Sequence, residues 1–250
     1  MSKVNYPTVQ LAYYVFTDIL GFSKMVENAK HTNTTNDLLR RLHAVIVKRR
    51  EALEYFGEYC QIKAFSDNVV LGIPIGKYSD AEGEFGLAVI QILEYQLEMA
   101  LEGFFVRGAI SIGDLFMDDK MIFGDSIVEA YNLESKEAKY PRVILSNGVV
   151  SLISKHLKYY GDIGDSPQRN HIIKDDDNYS FFNYLNAIID DDGFANWTKL
   201  CKHRDVIIQK MKDPINMTCI DKYRWLKKYH NEFCSKMQYY EGYDDKFKIN

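Results

Sequence analysis

Two isolated aspartates have side chains suited to binding a metal ion. In the run "YYVFTDILGFSKMVENA", an apolar, strand-like segment ends at Asp18 and turns through Gly21 into a polar helix. Asp67 lies in a turn-forming Ser-Asp-Asn sequence between two apolar segments. Each aspartate also has an ordinary explanation, because aspartate caps helices and stabilises turns. A shared metal site requires the two carboxylates to meet in space, and that depends on the elements that carry them.

Hydrophobic patterning predicts the elements around both aspartates. The Asp67 turn joins two short apolar runs, which is typical of a tight hairpin. In chain order the pattern predicts a strand over 9–18, a helix over Thr35–Phe56, strands over Ile62–Phe65 and Val69–Ile73, a helix over Ser79–Leu101, a strand in "FFVRGAISIG", a helix from about Ser126 and a strand in "RVILS".

The order of these elements, β-α-β-β-α-β and then α-β, predicts a ferredoxin-like α+β core with one antiparallel sheet. Strands one and three are central neighbours in such a sheet. Asp18 and Asp67, 49 residues apart (67 − 18), are therefore expected at the same edge. Two carboxylates there repel unless a cation lies between them, and Mg²⁺ or Mn²⁺ prefers such oxygen ligands. The N–H groups of Ile19 to Phe22, where a helix begins, are expected to bind phosphate.

The chain changes character after about residue 160. A polar segment rich in turn residues predicts an extended loop, "YSFFNYL" predicts a last strand, and amphipathic patterns predict helices over 195–212 and 215–237. We therefore expect a catalytic domain over 1–185 and a C-terminal helical extension over 186–250 that packs on it.

Composition narrows the class of protein. The chain has 250 residues, 46% of them apolar and 26% charged, which is ordinary for a globular protein. A net charge of −4 argues against a broad nucleic-acid surface. The four cysteines have no metal-binding spacing, and no apolar run is long enough to cross a bilayer. We expect a cytoplasmic protein without a secretory signal, bound to neither nucleic acid nor membrane.

Two other segments resemble ligand-binding motifs but lack residues that those motifs require. "GIPIGKY" is one residue short of a phosphate-binding P-loop and has Tyr78 where a metal-binding hydroxyl is needed. "DDDNYSFFNYLN" lacks the central glycine of a calcium loop and ends in Asn186 instead of glutamate.

Four segments in order resemble the motifs of class III nucleotidyl cyclase catalytic domains. They are "FTDILGF", "IKAFSDNVVLG", "VRGAISIGD" and "IFGDSIVEAYNLE…A…PRVILS", and they span roughly residues 11–150. Within that family, the compact form, the "NYSFFNYL" segment and "KYRWLKKYHNEF" look most like the pyrimidine cyclases of bacterial Pycsar anti-phage systems, which make cyclic UMP or cyclic CMP.

The resemblance implies roles for individual residues. Asp18 and Asp67 match the aspartates that hold two Mg²⁺ or Mn²⁺ ions, and Ile19 matches the position whose carbonyl also ligates. Gly21 and Phe22 lie where the triphosphate is bound. The implied reaction is attack of the ribose 3′-hydroxyl on the α-phosphorus, with pyrophosphate leaving.

Three further residues are candidates for contacting substrate. Lys63 matches a base-reading lysine, although it is also explained as a solvated lysine at a strand edge. Tyr59 is a candidate for narrowing the base pocket or a core aromatic. Arg107 matches the arginine of the family's "RxGI" strand, where it approaches phosphate or pairs with an acid.

The sequence departs from purine cyclases at three positions. Val128 and Asn132 stand where those enzymes have the ribose-orienting asparagine and the transition-state arginine, and Met121 replaces a base-reading aspartate. These departures favour a different base pocket. Because the family's sites form between two domains, one domain per chain implies a symmetric homodimer.

The resemblance therefore implies a pyrimidine nucleotide cyclase, with UTP preferred over CTP, whose product is read by a separate effector protein. The alternatives are a divergent adenylyl cyclase, a catalytically silent nucleotide-binding sensor, and another palm-type nucleotidyl transferase.

Overall fold

A computed structural model describes residues 6–54, 60–161 and 166–250. Its strands are β1 (Gln10–Ile19), β2 (Gln61–Phe65), β3 (Asn68–Pro74), β4 (Val106–Met117), β5 (Ile122–Phe123), β6 (Val143–Leu145), β7 (Ile172–Lys174) and β8 (Ser180–Phe182). Its α-helices are α1 (Phe22–His31), α2 (Thr35–Glu54), α3 (Glu82–Leu101), α4 (Asp125–Lys136), α5 (Asn147–His156), α6 (Trp197–Lys212) and α7 (Ile220–Lys236).

The strands form one sheet in the order β2-β3-β1-β4-β6-β8-β7, with β5 paired to β4. β1 is antiparallel to both β3 and β4, and β2 is antiparallel to β3. This order confirms the ferredoxin-like α+β core. The expectation of a wholly antiparallel sheet is wrong, because β6 pairs with β4 in parallel. Helix α4 provides the crossover that a parallel pair requires.

Strand β1 is buried on both of its faces, and its side chains alternate between two apolar clusters. Tyr13 and Val15 belong to the main cluster with helix α3, whereas Tyr14 and Phe16 pack with Ala130 of helix α4. We call the second side of the sheet the α4 face. By the same alternation Asp18 lies on the α4 face, at the end of β1.

Several element boundaries differ from the sequence predictions. Helix α3 begins at Glu82 instead of Ser79, because the Ser79 hydroxyl accepts from the Ala81 N–H and donates to Glu84 in a turn before the helix. The predicted last strand is three residues long and continues as a 3₁₀ helix over Tyr184–Ile188. Helix α5 and strand β7 were not predicted.

The two C-terminal helices pack into the main apolar cluster, which contains Leu97 of α3, Leu200 of α6 and Leu226 of α7. The predicted helix over 215–237 is divided into a 3₁₀ helix, Pro214–Cys219, and α7. The domain boundary at residue 186 stays a prediction. No helix in the described ranges is long and apolar enough to span a membrane.

A buried hydrogen-bonded chain joins these helices to the C-terminal tail. Tyr184 Oη lies 2.8 Å from His203 Nε2, His203 Nδ1 lies 2.9 Å from His230 Nδ1, and His230 Nε2 lies 2.8 Å from the Phe247 carbonyl oxygen. Burial lowers the pKa of both histidines, which favours the neutral form of each ring. With neutral rings, the carbonyl requires His230 Nε2–H, so His203 Nδ1 donates to His230 and Tyr184 donates to His203.

Candidate active site

Asp18 lies near the end of the central strand β1, between the neighbouring strands β3 and β4. In the strand register it stands opposite Asn68 of β3 on one side and Arg107 of β4 on the other. Its side chain is 21% exposed. The helix-cap explanation for Asp18 is wrong, because α1 begins at Phe22 with Gly21 as its N-cap residue and no side-chain cap.

Asp67 is held beside the end of β1 by its own backbone. Ser66 and Asp67 form a two-residue hairpin turn in which Ser66 takes a left-handed φ of 58°. The Ile19 N–H donates to the Asp67 carbonyl oxygen at 3.1 Å, which fastens the turn to the end of β1. The structure therefore brings Asp18, Ile19 and Asp67 together, as the topology predicted.

The Asp67 carboxyl group is close enough to affect the ionisation of Asp18. Burial is the largest cause of the raised pKa of Asp18; hydrogen bonding and charge from Arg107 oppose it, and hydrogen bonding and like charge from Asp67 add to it. The net direction is upward despite the arginine. A cation between the two carboxylates would relieve both the desolvation and the repulsion.

Arg107 bridges Asp18 to a third carboxylate that the sequence reasoning missed. Its Nε lies 3.1 Å from Asp18 Oδ2, and its Nη2 lies 2.8 Å from Oε1 of Glu134 in helix α4. The Glu134 side chain is only 5% exposed, and burial is the main cause of its raised pKa. A signal existed in the sequence: Ser126, Ala130 and Glu134 recur every four residues along the buried side of α4.

Close approach of two strands fixes the position of Arg107. A Cβ atom on the neighbouring Gly108 would lie 2.2 Å from the Phe16 carbonyl oxygen on β1. Only glycine allows this separation, so the β1–β4 contact that pairs Asp18 with Arg107 depends on it.

The start of helix α1 offers fewer phosphate-binding groups than expected. Ile19 N–H is bonded to Asp67, and Leu20 N–H donates to the Phe105 carbonyl oxygen at 2.8 Å. The N–H groups of Gly21 and Phe22 have no partner within the described ranges. Gly21 has a φ of 73°, which favours glycine, and nothing lies within 4 Å of the place where a Cβ would be. The space beside these two groups is open.

Lys63 lies on the same face of the sheet as Asp18. It pairs with Val70 on β3, which in turn pairs with Phe16, two residues before Asp18 on β1. Two strand spacings and two residues of offset place the Lys63 and Asp18 Cα atoms roughly 12 Å apart. The Asp118 carboxylate is a second charged group near Lys63; hydrogen bonds from the Met121 and Lys120 N–H groups lower its pKa most, and Lys63 lowers it further.

The other candidate residues have varied positions. Phe22 is partly buried against a small apolar cluster beneath α1. Met121 is 50% exposed and Val128 is 59% exposed, so neither is a core residue. Asn132 of α4 lines an open groove together with Glu129 and Lys136 of the same helix. Tyr59 lies outside the described residues.

Comparisons with known proteins add structural likeness at low identity. No protein-family model matches the chain, and no curated protein sequence matches it. The adenylyl cyclase CyaB from P. aeruginosa is 19% identical, with a TM-score of 0.47 over 60% of this chain and 84% of that one. The guanylate cyclase domain of RhGC from Catenaria anguillulae, in complex with GTP, is 18% identical, with a TM-score of 0.40 over 58% of this chain and 82% of that one.

A class III adenylyl cyclase-like ATP-binding protein from Pseudomonas aeruginosa is 15% identical, with a TM-score of 0.43 over 58% of this chain and 35% of that one. Identities below 25% and TM-scores below 0.5 do not show that this chain shares an activity with any of the three.

Proposed function

We propose that the chain is a metal-dependent nucleotide cyclase that converts UTP, or CTP, to the 3′,5′-cyclic nucleotide and pyrophosphate. The observation that carries the proposal is the meeting of Asp18 and Asp67 at one edge of the sheet, where burial and mutual repulsion raise the pKa of Asp18. The choice of pyrimidine substrates rests on the sequence resemblance and on the departures at Met121 and Asn132.

The oxygen atoms at this edge fit two Mg²⁺ or Mn²⁺ ions. The donors are the two carboxylates and the Ile19 carbonyl group, all of the hard type that these ions prefer. The described residues contain no group of three or more His, Cys, Asp or Glu side chains arranged for a metal, so triphosphate oxygens would complete the coordination. When bound, the ions would lower the pKa of the ribose 3′-hydroxyl and stabilise the charge on the phosphates.

The protein's own groups position the substrate. The N–H groups of Gly21 and Phe22 bind triphosphate oxygens at the start of α1. Arg107 stands beside Asp18 and holds it in place through the bridge to Glu134. In the reaction the 3′-oxygen forms a bond to the α-phosphorus, the bond to the β-phosphate oxygen breaks, and the hydroxyl proton passes to solvent. Alignment of these atoms is the main contribution of the protein.

Lys63 is the group we assign to the base. Its ammonium donates to a carbonyl oxygen of uracil or cytosine, and its separation from Asp18 suits a nucleotide that spans from the metals to its base. Asp118 beside it supplies an acceptor for a base N–H. Tyr59 is proposed to narrow the same pocket for a small ring.

The exposed apolar side chains of the α4 face support a homodimer. On this face Phe65 of β2 is 52% exposed, and Tyr131 of α4, whose ring contacts Phe16, is 54% exposed. Exposed apolar groups gathered on one side of a sheet are typical of an interface. A second copy placed there would close the active site over the nucleotide, giving two sites per dimer.

A role in anti-phage defence, with the cyclic product read by a separate effector protein, is proposed from the sequence resemblance alone. It predicts that the effector gene lies beside this one.

A catalytically silent nucleotide sensor is the second candidate. The observation that favours it is the absence of an arginine at position 132, where Asn132 cannot stabilise a pentavalent phosphate by charge. A divergent adenylyl cyclase remains the alternative enzyme.

A product assay separates these functions. Purified protein is incubated with Mn²⁺ and each of ATP, GTP, CTP and UTP separately, and mass spectrometry identifies 3′,5′-cyclic products, with Asp67→Asn as the control. Cyclic UMP or cyclic CMP that disappears in the variant supports the proposal. Robust cyclic AMP from ATP identifies an adenylyl cyclase, and nucleotide binding without turnover identifies the sensor.

A further inference from the structure

A cleft separate from the two aspartates lies between the first helices and the C-terminal helices. It encloses about 160 Å³. Helices α1 and α2 form one wall; α6, the following 3₁₀ helix and α7 form the other. Its lining residues include Gly21, which the proposed function assigns to the triphosphate, but not Asp18, Asp67 or Arg107.

Three cationic side chains line this cleft: Lys24, Arg41 and Lys210. Lys24 Nζ donates to the Thr218 hydroxyl at 2.5 Å and has no carboxylate partner among the described residues. Lys210 Nζ has neither an ion pair nor a hydrogen bond in the part of the chain that the structure describes. Two ammonium groups in one cleft therefore lack a direct counter-charge.

Arg41 and Lys210 converge on one point. The Arg41 Nη2 and Lys210 Nζ atoms would lie 3.5 and 3.8 Å from a Cβ atom on Gly103. Arg41 is partly neutralised, since its Nε lies 3.5 Å from Glu102 Oε2 and its Nη2 donates to the Glu102 carbonyl. That carboxylate is shared with another cation, because Glu102 Oε1 also pairs with Lys202 at 2.7 Å.

The ionisation of Lys210 agrees with this geometry. Burial is the largest cause of its lowered pKa, the charge of Arg41 lowers it further, and Asp213 opposes both. Asp213 and Asp37 are the two carboxylates that line the cleft. The net effect disfavours the ammonium form, and an anion beside Lys210 and Arg41 would oppose it, because a negative charge there attracts both cations.

We infer that this cleft binds a phosphate dianion, held by Lys210, Arg41 and Lys24. The anion is either inorganic phosphate or the phosphate group of a small nucleotide. Asn28, Thr34 and Asn216 supply further hydrogen-bonding groups around it, and Phe104 and Tyr223 supply an apolar wall. The ligand contacts both the sheet-bearing part of the chain and the C-terminal helices, so binding stabilises their contact.

Thermal unfolding of the full chain tests the site. The protein is measured in EDTA at constant ionic strength, with chloride replaced stepwise by inorganic phosphate. Phosphate at ten times its Kd is expected to raise the Tm by about 3–6 °C. Lys210→Met is expected to weaken phosphate binding about tenfold or more, and Lys24→Met to weaken it as well. Lys212→Met, a lysine two residues along the same helix and outside the cleft, is the matched control and keeps the shift.

An Asp67→Asn background distinguishes this site from the proposed active site. The shift persists there if phosphate binds the cleft. A shift that is lost in Asp67→Asn but kept in Lys210→Met, or no shift in the wild type, would overturn the inference. Uridine 5′-monophosphate as a second probe identifies the source: tighter binding than inorganic phosphate indicates a nucleotide, and equal or weaker binding indicates free phosphate.

Discussion

Removal of the Asp18 charge is predicted to separate metal binding from folding. In Asp18→Asn the side chain keeps its shape, and Arg107 keeps its ion pair with Glu134. The charged form of Asp18 is disfavoured in the folded protein, because burial and Asp67 outweigh Arg107. The metal-free variant is therefore expected to unfold at the same temperature as the wild type or a higher one at pH 7.

The sign of the pH dependence follows from the raised pKa. A carboxyl group with a higher pKa in the folded state destabilises the fold fully above that folded pKa. This destabilisation decreases as the pH falls through the folded pKa and is gone below the unfolded pKa. The stability difference between Asp18→Asn and the wild type is expected to shrink as the pH falls and the Asp18 carboxyl becomes protonated.

Mn²⁺ is expected to make the wild type unfold at a higher temperature than Asp18→Asn. At ten times its Kd, an ion that binds only the folded protein contributes about 1.4 kcal/mol, which raises the Tm of a chain of this size by about 3–6 °C. The wild type is expected to show this shift, whereas Asp18→Asn and Asp67→Asn lose it. Asp114→Asn, an exposed carboxylate on β4, is the matched control and keeps it. Equal Mn²⁺ shifts in all four proteins would refute a metal role for the two aspartates.

Three further predictions concern other parts of the molecule. Lys63→Met is expected to raise the KM for the pyrimidine triphosphate about tenfold with a smaller change in kcat, because it removes one charge-assisted hydrogen bond to the base; an unchanged KM would exclude Lys63 from the base pocket. Glu134→Gln is expected to lower kcat, because the charge of Arg107 is then balanced by Asp18 alone. The free energy of unfolding at pH 7 is expected to stay the same or rise, because burial raises the pKa of Glu134 and so disfavours its charged form in the folded protein. Steady-state kinetics and urea unfolding measure the two effects, and a variant with wild-type kcat would show that the bridge plays no part in catalysis. Burial lowers the pKa of His230 to about 4. Protonation of His230 is therefore expected to reduce the free energy of unfolding by about 3 kcal/mol as the pH falls from 7 to 4. A base with a depressed folded pKa contributes stability above its unfolded pKa, and this contribution is lost as the pH falls toward the folded pKa. Urea unfolding across this range should give a shallower pH dependence in His230→Gln but not in His31→Gln, whose histidine is 74% exposed in the wild type; identical slopes would contradict the neutral histidine pair.

The meeting of Asp18 and Asp67 could be predicted from the sequence because it depends on topology alone. A hairpin around Asp67 and a ferredoxin-like strand order are enough to place the turn beside the end of β1, and local patterning identifies both. Side-chain positions on the same face, such as that of Lys63, follow from strand alternation once the register is known.

The features that the sequence did not reveal depend on contacts between distant elements. Glu134 meets Arg107 only because of the way in which α4 packs across the sheet. A glutamate in a helix ordinarily indicates a face exposed to solvent. The N–H groups of Ile19 and Leu20 are occupied by Asp67 and Phe105, partners that a local pattern of residues does not identify. Helix α5, which was not predicted, follows β6 directly after the Ser146 cap, so no loop separates its pattern from that of the strand.

The most direct test of the metal site is a crystal structure with Mn²⁺ and a non-hydrolysable UTP analogue, measured at a wavelength where manganese scatters anomalously. We predict two anomalous peaks between the carboxylates of Asp18 and Asp67, with the triphosphate beside the N–H groups of Gly21 and Phe22. A nucleotide bound without manganese at these carboxylates, or manganese bound elsewhere on the chain, would contradict the proposal that this edge of the sheet is the active site of a metal-dependent cyclase.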